Sequence, residues 1–274
     1  MPDIAQPKPA SQPRARGDLR ITSRERDGSS YIDRLDQAGA LKALFPGVRG
    51  RLDAICVNTA GGVTGGDRFA VTAEAGPGSV LCLTTQAAER AYRATGPDPG
   101  RVTTRLSAAA GATLFWLPQE LILYDRCNLE RSLEIDLAPD ARLLMVEPVL
   151  FGRRAMGEVL RSARFSDRVA IRRDGRPAYL DGLDLSGDVA AALDRAAAGA
   201  GSVAMASLVH VAPDAEAHLP ALRALMPTTG GASLLAPDML AMRLVAEDGH
   251  ALRQALLPVL DRLTSDGLPI SWRL

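Results

Sequence analysis

The sequence predicts a mainly β protein of stacked, β-helix-like layered strands, with a smaller α+β portion at its C-terminal end. Three observations predict it. Alternation of apolar and polar residues with a period of two recurs through the first two thirds of the chain, as half-buried strands require. The same region carries a loose internal repeat, the mark of stacked units. After about Gly187 the pattern changes to helix signals interleaved with single strands.

The elements follow in order. Residues 1–16 are rich in Pro, Gln, Ala and Arg and lack an apolar stretch, so they do not read as a secretory signal; residues 1–18 are expected to form a disordered tail. Residues 19–186 form the β-rich core. Residues 69–75 and 129–137 alternate, and the apolar runs at 79–83, 112–117 and 142–146 read as buried strands, each behind a turn signal. Asp174-Gly175 tolerates the positive φ angles of a two-residue hairpin turn. Residues 75–86 overlay 108–119 and then 137–148, at offsets of 33 and 29. Each unit is a strand end, a turn, an apolar strand and a polar exit, which favours stacked layers over a compact barrel, a meander of hairpins being the alternative. Residues 187–274 form the α+β region packed on this core. Asp188 caps an Ala-rich helix reaching to 198, and a strand covers 201–211. A helix over 214–226 places Leu219, Leu222 and Leu225 on one face and closes at Pro227. A strand at 239–246 precedes a helix at 250–264, interrupted or kinked at Pro258.

Composition excludes several functions. The 32 basic and 32 acidic side chains cancel, whereas a general nucleic-acid binder needs a basic surplus. No stretch approaches the 18 to 20 apolar residues, roughly, of a membrane span. Cys56, Cys82 and Cys127 are odd in number and far apart, so no disulfide framework is expected and a cytoplasmic protein fits best.

Gly61-Gly-Val-Thr-Gly-Gly-Asp67 is the densest local feature. A phosphate-cradling loop needs a helix behind it, and here a strand follows, so tight turns are the expectation. There is no Cys-x-x-Cys, and His210, His218 and His250 are read as sharing no metal-ligand spacing; His218 is expected to face solvent. Any metal ligand therefore stays unassigned. No Gly-x-Ser-x-Gly occurs and no histidine lies in the β region, so no catalytic set is expected. Glu120 and Glu147 fall at the polar exits of two repeat units, near Gln119 and near Gln86 of the third. On pattern alone they read as exposed loop residues. The sharper reading is that stacking gathers all four along an edge or channel, as oxygen ligands that hand on a divalent cation without trapping it.

Asn58-Thr-Ala-Gly-Gly-Val-Thr-Gly-Gly-Asp-Arg68, Leu83-Thr-Thr-Gln-Ala-Ala-Glu-Arg-Ala-Tyr-Arg93, Leu114-Phe-Trp-Leu-Pro-Gln-Glu120, Glu147-Pro-Val-Leu-Phe-Gly-Arg-Arg154 and Arg173-Asp-Gly-Arg-Pro177 occur in this order. This ordered set resembles the urease accessory protein UreD (UreH) family over residues 44–185, with Ser271-Trp-Arg273 fitting at the end. Arg90 stands where that family commonly has Lys, and Val146 where it has Trp or Ala. The resemblance implies a partly β-helical fold and no enzyme activity of its own. It implies a metallochaperone-complex scaffold that binds urease apoprotein and a UreF-type accessory protein, with a UreG-type GTPase joining through UreF. Nickel is then cargo in transit, with no cofactor stably bound, and a passage through the protein is its route. Glu120 and Glu147 are the expected cation-passing residues, with Gln86 and Gln119 as polar lining; Asp67 and Arg68 order the glycine-rich turn or dock a partner. The rival reading is a β-helical enzyme acting on a carbohydrate or acidic polymer, which needs aromatic platforms; aromatic residues are only 4% of the chain.

Overall fold

A computed structural model describes residues 13–265 and 267–273. Most of the tail expected over 1–18 lies outside the described residues; residues 16–18 already belong to the first strand, β1 (Arg16–Arg26). There follow β2 (Ser29–Gly39), β3 (Leu41–Leu44), β4 (Leu52–Asn58), β5 (Arg68–Ala75), β6 (Val80–Thr85), β7 (Glu89–Ala91), β8 (Gly100–Ala108), β9 (Thr113–Leu117) and β10 (Leu121–Leu123). Then come β11 (Asn128–Leu137), β12 (Arg142–Phe151), β13 (Ala163–Arg173) and β14 (Arg176–Gly187). The last part holds α1 (Val189–Leu193), β15 (Ala204–Val211), α2 (Ala215–Leu225), β16 (Gly230–Ala236), β17 (Met239–Ala246) and α3 (Gly249–Thr264).

The chain winds between two sheets. The first runs β14-β13-β11-β8-β5-β1-β2, the second β16-β17-β15-β12-β9-β6-β4-β3, with β7 and β10 attached beside β12. Successive strands within each sheet are parallel from β5 to β8, β11 and β13, and from β4 to β6, β9 and β12. This is the stacked-coil arrangement of a β-solenoid. The repeat offsets are the ladder registers themselves. Val80 faces Thr113 and Thr113 faces Arg142, while Arg68 faces Arg101 and Gly100 faces Leu129, giving 33 and 29 residues in both sheets. A hairpin ends the stack at Asp174-Gly175, whose φ angles of 51° and 70° match the turn expected there.

Alternation divides the buried residues into two cores. Leu81, Leu83, Leu114, Leu143 and Met145 point between the sheets, towards Leu106, Leu133, Ile135 and Ile171 of the opposing sheet. Cys82, Leu117, Leu144 and Val146 point the other way, under α2 and α3, where Leu222, Leu252, Leu256, Leu260 and Trp272 cover them. The second sheet is thus buried on both faces, which is why its strands read as unbroken apolar runs. The strands of the C-terminal region join this same sheet, β15 pairing antiparallel with β12 and β17.

Three details differ from expectation. The helix capped by Asp188, whose carboxylate accepts from the Ala191 N–H, stops at Leu193. The amides of Ala198, Gly199 and Ala200 instead converge on the Arg195 carbonyl in a tight turn. In α2 Leu222 is buried but Leu225 is exposed, because a three-residue step falls behind the 3.6-residue turn and rotates the third leucine off the face. The strand β16 carries no sequence signal: Gly230-Gly-Ala-Ser has neither alternation nor β-branched residues, and it is held as an edge by β17.

Candidate functional site between the sheets

Two of the coils interrupt the second sheet at one level. β6 gives way to β7 across residues 86–88 and β9 to β10 across residues 118–120, while β12 runs through unbroken, pairing with β9 and then with β10. A cavity of about 300 Å³ opens at these breaks and reaches between the sheets, lined by Gln86, Glu89, Pro118, Gln119, Trp116, Thr104, Arg131 and Glu147.

Glu147 lies at its inner end. It sits on the β12 face that otherwise carries Leu143, Met145, Val149 and Phe151, so a carboxylate occupies an apolar-core position. Trp116 Nε1 donates to Glu147 Oε1 at 2.5 Å, and Arg131 meets Oε2 as a close ion pair. Arg131 also forms a two-pronged pair with Asp167, at 3.0 Å from Nε and 2.6 Å from Nη2. Beyond this triad lies a smaller recess of about 30 Å³, lined by Glu147, Asp167, Asp181, Ser207 and Arg243. Burial, with Asp167 nearby, pushes the Glu147 carboxyl above the ordinary range against the opposing pull of Arg131 and Trp116. For Arg131 burial pulls the other way, yet the two carboxylates outweigh it and hold the guanidinium charged. At the mouth, burial raises the Glu89 carboxyl, opposed by the Asn58 amide and the Arg90 N–H.

The other predicted residues divide. Gln86 is exposed at the mouth and Gln119 is buried in the wall with its Nε2 unpartnered. Glu120 is buried behind that wall and is not among the lining residues. Its carboxylate accepts from Arg253 at 2.9 Å, and the same guanidinium reaches Gln119 Oε1 at 2.8 Å and the Trp272 carbonyl at 2.9 Å. The structure therefore brings Gln86, Gln119 and Glu147 to one cavity and assigns Glu120 to the anchor of the C-terminal segment. The plain reading of both glutamates as exposed loop residues is corrected by their burial. Asp67 accepts from the Thr64 and Ala15 N–H groups at 2.9 and 2.8 Å and so orders the glycine-rich turn, with Arg68 exposed beside it. In that turn Gly62, at φ 154°, lies against Tyr92, where a side chain would clash. Cys56 also lines the cavity, but burial pushes its thiol up to about 12 and keeps it protonated; the cavity offers oxygen rather than thiolate.

Arg131 and Asp167 were not among the predicted site residues. Their signal is present: each interrupts the apolar phase of an alternating strand, Leu129-x-Arg131-x-Leu133 and Phe165-x-Asp167-x-Val169.

The family model described as UreD urease accessory protein matches residues 15–271. The chain belongs to the UreD family. The protein named urease accessory protein UreD from Roseobacter denitrificans is 56% identical over 266 residues, covering 97% of either chain. Those of the same name from Ruegeria sp. and Sinorhizobium medicae are 53% and 45% identical, covering 96% and 95% of this chain and 91% and 96% of their own. This UreD-family chain is accordingly an accessory protein of urease rather than an enzyme. Among its described residues no helix is long and apolar enough to cross a membrane.

Proposed function

We propose that this UreD-family protein is a cytoplasmic scaffold for nickel insertion into urease. It binds urease apoprotein and a UreF-type accessory protein, with a UreG-type GTPase joining through UreF, and nickel crosses it as cargo between the two sheets. The observation that carries this reading is the placement of Glu147. A carboxylate on the apolar face of a core strand is costly unless it has a use, and this one is shared by a cavity open at Gln86 and a recess ending at Asp181. Carboxylate, amide and hydroxyl oxygens along such a route bind a divalent ion weakly enough to release it. In that scheme the Arg131 guanidinium holds the cation's place beside Glu147 until the ion displaces it, and Glu120 acts through Arg253 by holding the wall.

The test pairs two readouts. Tagged full-length protein, wild type or Glu147→Gln, is recovered from its own cell extract, and urease activity per urease protein is measured at limiting nickel. The expected result is that both recover urease with the UreF- and UreG-type partners, while the variant activates urease several-fold less. Undiminished activation by Glu147→Gln rejects the passage; failure of the wild type to recover urease under gentle, low-salt conditions rejects the scaffold.

A further inference from the structure

Two of the three histidines read in the sequence as sharing no ligand spacing, His210 and His218, are brought together by the fold. β15 ends at Val211 and α2 begins at Ala215, so the turn between them sets His210 against the first helical turns. Asp214 and His218 stand one helical turn apart on the same side. One donor atom from each of His210, Asp214 and His218 lies within 4.8 Å of the others. A shared ion at about 2.0 to 2.2 Å from each donor in tetrahedral geometry sets them about 3.3 to 3.6 Å apart, so the widest separation closes by about 1 Å on binding.

We infer that His210, Asp214 and His218 form a binding site for a divalent transition-metal cation, with two imidazoles and one carboxylate as ligands and a fourth position open. Four features argue for a ligand. His210 is buried and its Nδ1 lies 3.2 Å from the Leu143 carbonyl. Donating there fixes the tautomer and leaves the Nε2 lone pair free, the backbone support that metal-bound imidazoles commonly have. The Asp214 carboxylate, though at the start of α2, makes no capping bond to that helix and instead lies 3.3 Å from His218 Nε2. The remaining nitrogen of His218, Nδ1, is buried without a partner. His218 therefore does not simply face solvent.

Two nitrogens and one oxygen suit nickel, zinc or copper(II), and not magnesium or calcium, which take oxygen ligands. The site lies apart from the cavity. Leu143 and Glu147 are four residues apart on extended β12, about 13 Å, and His210 follows the strand phase of Ala206 and Leu208 under the helices. The inference thus stands without the nickel-passage reading.

The test uses the full chain, metal-free, with cobalt(II) as an absorbing probe and zinc(II) in equilibrium dialysis. The variants are Asp214→Asn and His218→Gln, since Asp214 makes no capping bond and neither residue is in the core; melting curves check that both fold. The expected result is one cobalt(II) equivalent with ligand-field absorption in the wild type, displaced by zinc(II). Each variant should weaken it by at least about tenfold. The inference is overturned if the wild type shows no ligand-field absorption and takes up no zinc(II) at micromolar concentration. It is equally overturned if both variants bind as the wild type does.

Discussion

Arg131 holds two carboxylates in a space that the surrounding strands would otherwise fill with leucine and valine. Removing one partner from a buried ion cluster leaves the others unpaired in a medium that solvates them poorly. Arg131→Met is therefore expected to lower stability by about 3–5 kcal/mol. Replacing Arg131, Glu147 and Asp167 together by apolar residues should restore most of that loss. Denaturant midpoints of the two variants decide: a triple variant no more stable than the single one rejects the assignment. The cluster was half legible. Glu147 stands out because it ends a repeat unit, whereas Arg131 and Asp167 are single polar breaks mid-strand in an apolar phase. A single sequence does not say that an arginine in the apolar phase has two carboxylates waiting across the gap. Glu89 gives a pH prediction. Its folded carboxyl holds a proton more tightly than the unfolded chain, whose ordinary value is 4.5. Its stabilising contribution is complete below 4.5 and is lost as pH rises through the folded value; above it the charged form is a net penalty. Glu89→Gln should thus gain on the wild type in melting temperature as pH climbs from about 4 to about 7. A pH-independent difference would refute this origin of the shift.

At the scale of elements, the repeat was the informative signal. Offsets of 33 and 29 became strand registers because in a parallel stack the same turn chemistry recurs at each corner. The helices were legible in position but not in depth. Little in Ser271-Trp-Arg273 announces that Trp272 is fully buried, donates to the Leu117 carbonyl at 2.9 Å and lies under the Arg253 guanidinium. This short segment and α3 close the outer face of the second sheet together. Trp272→Ala should cost about 3–5 kcal/mol, read as a lowered unfolding midpoint. A loss below about 1 kcal/mol would mean that the segment is not docked as described.

At the scale of the molecule, the second sheet is a central layer rather than a wall. A chain cut at residue 186 would uncover Cys82, Leu117, Leu144 and Val146 and strip β12 of its partner β15, leaving an apolar face and an open edge together. Such a fragment is expected in the insoluble fraction on expression; a monodisperse, cooperatively melting fragment would show that the stack stands alone. The sequence change near Gly187 is real, but it marks a change of element type within one continuous sheet.

The difference between the two repeat lengths has its own meaning. The coil of 33 residues exceeds the coil of 29 by four, and those four are found at one corner: eight residues join β7 to β8, from 92 to 99, where four join β10 to β11, from 124 to 127. The straight runs keep step while the corner takes up slack, like a rope wound on a square post. An experimenter can splice a label near Gly96 without turning Trp116 or Glu147 away from each other. One residue slipped into β9 ahead of Trp116 would reverse the side chains beyond it and turn Trp116 away from Glu147.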